Sequence, residues 1–139
     1  MEKKIFLELI NTQGAHWNLA RQGFAALDLS DGQPKILYIL YYAEGIVQKE
    51  LAAICGVKPS TLTVLLQRME QQNMIRREDR LISGGKHAWA IFLTETGREK
   101  ATQTVDFVEE LETRSFKDFS QTEREMLFSL LERVQNNLK

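Results

Sequence analysis

The chain has 139 residues, 43% of them hydrophobic and 27% charged, which suits one compact subunit with a modest core and excludes a disordered chain. Its net charge of −1 and pI of about 6.1 exclude a chain that binds polyanions through overall charge alone. One cysteine rules out an internal disulfide framework and fits a reducing compartment, so the cytoplasm is the expected location. No stretch approaches the ~20 apolar residues of a membrane helix, and the start is too polar after Ile10 for a secretory signal.

Residues 3–27 read as one long helix. Phe6, Ile10, Trp17, Ala20, Phe24 and Leu27 recur at alternating spacings of three and four, with Gln13 the one polar member. That is a coiled-coil spacing and calls for a partner helix. Gly14 and Gly23 each cost about 1 kcal/mol relative to Ala, so a kink or a close helix crossing is expected near them. Ser30, with Gln33 three residues on, has the spacing of a capping box and is expected to open the next helix, Pro34 falling in its first turn. The run KILYILYYA is apolar nearly all round, which predicts a central helix. Its three tyrosines, Tyr38, Tyr41 and Tyr42, need hydroxyl partners if buried. Gly45 is expected to end it, and Ile46-Val47 to form a short strand.

The segment from Ile46 to Leu93 carries the clearest organisation. QKELAAIC places Leu51, Ala52 and Cys55 on one face of a short helix that Gly56 stops. Val57 and Lys58 make a turn, and Pro59 suits the first position of a second helix, where a missing N–H does no harm. Leu62, Leu65, Leu66 and Met69 give that helix one buried stripe. Ser60, Thr61, Thr63, Val64, Gln67 and Arg68 fall outside it. Asn73 ends the helix. MIRREDRLIS and KHAWAIFL then flank Ser83-Gly84-Gly85 as a strand hairpin. Two helices across a short turn are the helix-turn-helix arrangement, whose second helix can enter the major groove; the following hairpin is a wing. Hydroxyls, an amide and a guanidinium are the groups that bond base edges and phosphates. Many helical hairpins of this shape bind nothing, so periodicity alone does not decide between groove and solvent.

Thr94 is placed to cap a helix running to about Lys117, and Ser120 with Glu123 repeats the capping-box spacing before a last helix. There Leu127, Leu131, Val134 and Leu138, backed by Met126 and Leu130, form a second heptad-like stripe. Charge is unevenly spread. Lys58 to His87 carries a net +3, which leaves −4 on the remainder. A basic reader on an acidic scaffold would show this.

QKELAAICGVKPSTLTVLLQRMEQQNMIRRE, the wing and the LTETG that follows resemble the core of the MarR family of bacterial and archaeal transcription regulators. The resemblance extends over nearly the whole chain. It implies a mainly α fold with a small β wing: a winged helix-turn-helix core flanked by long N- and C-terminal dimerisation helices. The expected division is residues 1–28 for dimerisation, 29–94 for the DNA-binding lobe and 95–139 for dimerisation again. The implied function is a homodimer binding a roughly palindromic operator in double-stranded DNA, as a sequence-specific regulator. Lys58, Ser60, Thr61, Thr63, Val64, Gln67 and Arg68 are the candidate contacts from the second helix. Many members carry an Asp-x-Arg pair in the wing, about nine and seven residues before the Thr of the LT motif. Here those positions are Gly85 and His87, so Arg80, Lys86 or His87 must substitute if the wing touches DNA.

No enzymatic constellation can be assembled, and neither a cofactor nor a metal is expected. His16 and His87 have no Cys, Asp or Glu at metal-ligand spacing, and Gly84-Gly85 lacks both the spacing and the helix of a phosphate loop. Cys55 lies on an inner helix face, where a small apolar residue packs well. The resemblance further implies that a small aromatic or phenolic ligand can occupy a crevice beside the long first helix, with His16, Trp17 and Tyr41 as candidate lining residues. The alternative reading is a winged-helix interaction module that sequesters a partner regulator. Salt-dependent binding to duplex DNA separates the two.

Overall fold

The computed structural model describes residues 1–139. Six helices and one hairpin follow in order: α1 (Ile5–Ala26), α2 (Gln33–Ala43), α3 (Gln48–Cys55), α4 (Pro59–Gln71), β1 (Ile75–Ile82), β2 (Lys86–Leu93), α5 (Glu95–Ser115) and α6 (Gln121–Asn137). None of the helices is long and apolar enough to cross a membrane. The chain divides into two compact units, residues 1–108 and 109–139.

In the first unit the core is built where the stripes of α2, α3 and α4 meet the base of the hairpin. Ile36, Leu37, Leu40, Leu51, Leu62, Leu66, Met69, Ile75 and Ile91 are all fully buried there. Each such side chain contributes about 1.5–3 kcal/mol relative to exposure. Gly56 ends α3 at φ 68°, as its position requires, and Pro59 opens α4. β1 and β2 pair antiparallel from Ile75↔Leu93 out to Ile82↔Lys86, around the tip Ser83–Gly85. Residues 45–47 lie beside this hairpin: Gly45 N–H donates to Ile91 O (2.8 Å), Ile91 N–H donates to Ile46 O (2.9 Å), and Val47 bridges Ala90.

Two expectations for α2 need correction. The helix starts at Gln33, behind Gly32 at φ 89°, and not at Ser30. Half of the expected capping box is nevertheless present, because Ser30 N–H donates to Gln33 Oε1 at 3.1 Å. Nor is α2 buried all round. Ile36, Leu37 and Leu40 face the core, while Tyr38, Tyr41 and Tyr42 form an exposed cluster packed edge to face.

Within this unit α1 packs through its last third. Ala20 is buried and Phe24 meets Phe107 of α5 edge-on, with centroids 5.0 Å apart. A Cβ at Gly23 would overlap the Phe107 ring, so this glycine allows a close helix crossing. Gly14 has open space around it and no such role. Farther back, Phe6 and Ile10 remain 67% and 49% exposed. In the second unit the end of α5 turns into α6 through Phe116 and Phe119, packed edge-on at 5.6 Å. Ser120 and Glu123 complete their capping box there (3.1 and 2.8 Å). Met126, Phe128, Leu130, Leu131 and Val134 of α6 are all exposed, as is Leu138 just after it.

Candidate nucleic-acid interface

The α4 sequence sorts itself by periodicity. Leu62, Leu66 and Met69 go inward, and Ser60, Thr61, Val64, Gln67 and Arg68 project to solvent, with Val64 58% exposed. Lys58, the residue before the helix, provides no side-chain cap, and no acceptor within the chain meets the N–H groups of Ser60 and Thr61. Free N–H groups at the positive end of a helix dipole favour an anion. Lys58 and Arg68 form no ion pair, so two unneutralised cations flank the helix.

Thr63 stands apart from its neighbours. Its hydroxyl donates to Pro59 O (3.0 Å) and accepts from Gln48 Nε2 of α3 (3.0 Å), so it joins the two helices of the motif. Sequence spacing places Thr63 on the outer face but cannot reveal this engagement, because Gln48 is fifteen residues away.

Most of the wing's charge is neutralised internally. Arg76 and Arg80 both bond Glu78, Arg80 at 3.1 Å, and both guanidinium groups lie over the Phe92 ring. Those two hydrogen bonds, Arg76 first, hold the Glu78 carboxyl below the ordinary carboxylate value. Arg77 reaches Glu70 of α4 (3.0 Å) and covers Trp89. His87 Nδ1 sits 3.1 Å from Asp79. Of the three wing residues that could substitute for an arginine at the tip, only Lys86 has no partner. At the root of the wing Thr94 Oγ1 donates to Asn73 O (2.6 Å) and accepts from Gly97 N–H (3.0 Å), while Thr94 N–H donates to Met74 O (3.1 Å).

A crevice of about 340 Å³ opens beside α1. Trp17, Phe24, Leu29, Pro34, Tyr38 and Val108 supply most of its walls, and Arg21, Asp31 and Lys35 its charge. Of the three candidate lining residues, Trp17 is in place; His16 and Tyr41 do not reach it. Tyr38 stands there instead of Tyr41, because three residues along a helix turn a side chain about 60° away from its predecessor's direction. Burial pushes the Cys55 thiol up in pKa, against the opposing charge of Lys35, whose ammonium bonds the Cys55 carbonyl. A buried thiol of raised pKa is a packing group.

Residues 29–81, which hold α2, α3, α4 and most of β1, match the sequence model of the MarR family. Over 134 residues the chain is 25% identical to an uncharacterized HTH-type transcriptional regulator, YdgJ, of Bacillus subtilis strain 168, covering 94% of this chain and 78% of that one. This central segment is thus similar to MarR-family transcription regulators. Solved MarR structures share its fold. A putative MarR family regulator from Listeria monocytogenes, complexed with 26mer DNA, superimposes with a TM-score of 0.84 at 23% identity, covering 99% of this chain and 90% of that one. CouR from Rhodococcus jostii RHA1, bound to p-coumaroyl-CoA, gives 0.79 at 21%, covering 95% and 91%.

Proposed function

We propose that the protein is a transcription regulator of the MarR type, a homodimer that reads a roughly palindromic operator through α4 and anchors on phosphate through Lys58, Ser60, Thr61 and the wing residue Lys86. The carrying observation is the outer face of α4: an uncapped N-terminus, two unpaired cations and exposed Val64, Gln67 and Arg68 on one short helix. Val64, Gln67 and Arg68 are assigned to base edges. Thr63, Arg80 and His87, each engaged within the chain, are assigned supporting roles. The Listeria relative's complex with DNA supports the choice of partner.

Residues 1–28 and 95–139 are assigned to dimerisation, and residues 29–94 to DNA binding. The support is the apolar surface left open: Phe6 and Ile10 on α1, Leu131 and Val134 on α6, and a hollow of about 520 Å³ beside Phe116 and Phe128. A second copy buries such stripes most simply. For release from DNA we assign the crevice at Trp17 to a small aromatic ligand, a choice supported by its aromatic walls and by the acyl-CoA that CouR holds.

The test is titration of the purified protein against duplex DNA flanking its own coding region, at several salt concentrations. A linear fall of log affinity with log salt, with tighter binding to one segment than to scrambled duplex, is the expected result. Binding to no duplex at any salt leaves the protein-interaction reading in its place.

A further inference from the structure

We propose that Gln33 is a positioning residue that couples the crevice to the recognition helix α4; the proposal rests on the DNA-binding reading above. Gln33 is 1% exposed, and only one other polar side chain, Thr104, is buried in the whole chain. Thr104 bonds a carbonyl of its own helix, Lys100 O, at 2.8 Å. Gln33 alone therefore spends a buried polar group on joining separate elements. A buried amide is costly unless fully bonded, whereas an apolar side chain of the same shape would fill the space without that demand.

Its two bonds run in opposite directions. On one side Oε1 accepts from Ser30 N–H at 3.1 Å. On the other Nε2 donates to Gln72 Oε1 at 2.7 Å, across thirty-nine residues of sequence. Gln72 closes α4, and its own N–H donates to Arg68 O at 3.0 Å. The link thus ends on the backbone of a residue assigned to the groove.

Its other end is the crevice wall. Ser30, Asp31, Gly32 and Pro34, which bracket Gln33, all line that space. The turn has no slack towards α4 either. A Cβ added at Gly32 would lie 3.1 Å from both methyl carbons of Leu65, and Asp31 and Arg68 line one shallow hollow together. Anything that displaces residues 30–34 must pull or push on Gln72. By linkage, fixing α4 on DNA must alter the crevice in return.

This reciprocity permits a test with DNA as the only ligand. The full-length protein is labelled with 5-fluorotryptophan, which places one reporter in the crevice wall (Trp17) and one on the wing (Trp89). Trp89→Phe assigns the two fluorine resonances. A short duplex selected from a random pool for binding is then added to saturation. The wild type is expected to shift both resonances. Gln72→Ala, at an exposed position, leaves Gln33 Nε2 without its acceptor; it is expected to cut the Trp17 shift to about half or less, to keep the Trp89 shift, and to bind DNA within about threefold of wild type. Gln72→Glu keeps an acceptor for Gln33 and is expected to restore the Trp17 shift. A Trp17 resonance that ignores DNA in the wild type overturns the coupling, as does a full shift persisting in Gln72→Ala. Failure of the wild type to bind any duplex overturns the DNA-binding reading itself and is seen before either variant is made.

Discussion

Asp79 on one strand of the wing holds His87 on the other, with Nδ1 of the imidazole 3.1 Å from the carboxylate. The two lie on one face of the hairpin, since Asp79 opposes Trp89 and His87 opposes Leu81 in the register. His87 stands where the resemblance to the MarR family would place a wing arginine, and its ring is engaged within its own sheet. Lys86, next to it at the tip, is left as the wing's free cation.

Lys86→Ala should therefore weaken binding to all duplexes by similar factors and reduce the slope of log affinity against log salt by about 0.9. Arg80→Ala removes a guanidinium already spent on Glu78 and Phe92, so its slope change should be clearly smaller. Matched titrations on operator and scrambled duplex decide this. Equal slopes for Lys86→Ala and wild type would mean that the wing does not touch the backbone.

Thr63 and Gln67 both lie off the buried stripe of α4, yet they should respond differently. Gln67→Ala should change the ranking of operator variants, each lost bidentate contact removing about 1–3 kcal/mol of discrimination. Thr63→Val removes the bonds to Pro59 and Gln48, so it should lower stability by about 1 kcal/mol and leave the ranking alone. Urea denaturation and a panel of single-base operator variants read the two effects separately.

Phe6→Glu on α1 and Leu131→Glu on α6 place a charge on surfaces that are open within one chain. Either change leaves the interior of its own unit untouched but should weaken self-association by about 2 kcal/mol or more, with operator affinity falling alongside. Removing residues 1–12 should act in the same direction. Sedimentation at micromolar protein is the check, and a monomeric wild type there is incompatible with the proposed dimer.

Glu44 ties the end of α2 to the start of α5. Its carboxylate accepts from Leu93 N–H (3.0 Å) and pairs with Arg98. Burial pushes its pKa up, but the Arg98 hydrogen bond, the Leu93 N–H and the charges of Arg98 and Arg76 outweigh burial, leaving it below the ordinary value of 4.5. A depressed carboxylate contributes stability above its unfolded pKa and loses that contribution as pH falls through the folded one. Wild type should thus exceed Glu44→Gln in urea midpoint at pH 7, with the gap closing as pH drops below about 4.5. A gap that stays constant down to about pH 3 would show that the charge on Glu44 contributes nothing to stability.

Much of this architecture is legible locally. Gly56, Pro59 and the Ser83-Gly84-Gly85 tip fix the boundaries of α3, α4 and the wing through backbone preferences acting within a few residues, and Ser120 with Glu123 does the same for α6. The start of α2 is not, because a single glycine at φ 89° delays the helix while Gln33 still reaches back to Ser30. In the same helix, tyrosine counts towards an apolar pattern although its ring can lie at the surface, so periodicity could not separate the inward Leu37 and Leu40 from Tyr41. For the site, the outer face of α4 follows from helical spacing. The pairing of Arg76 and Arg80 with Glu78, two residues away, is likewise local, whereas the engagement of Thr63, the Arg77–Glu70 and His87–Asp79 pairs and the Gln33–Gln72 bond are not, since each joins residues seven to thirty-nine positions apart.

Thr94 receives both feet of the hairpin at one point, through Asn73 O on the incoming side, Met74 O beside it, and Gly97 N–H on the outgoing side. None of those three bonds involves a residue at the far end of the two strands. The hairpin is thus a detachable arm on a fixed shoulder, whose length can change by whole residue pairs without disturbing register or mount. Reach along a duplex then becomes a property that can be lengthened, shortened or given up independently of how the subunit folds.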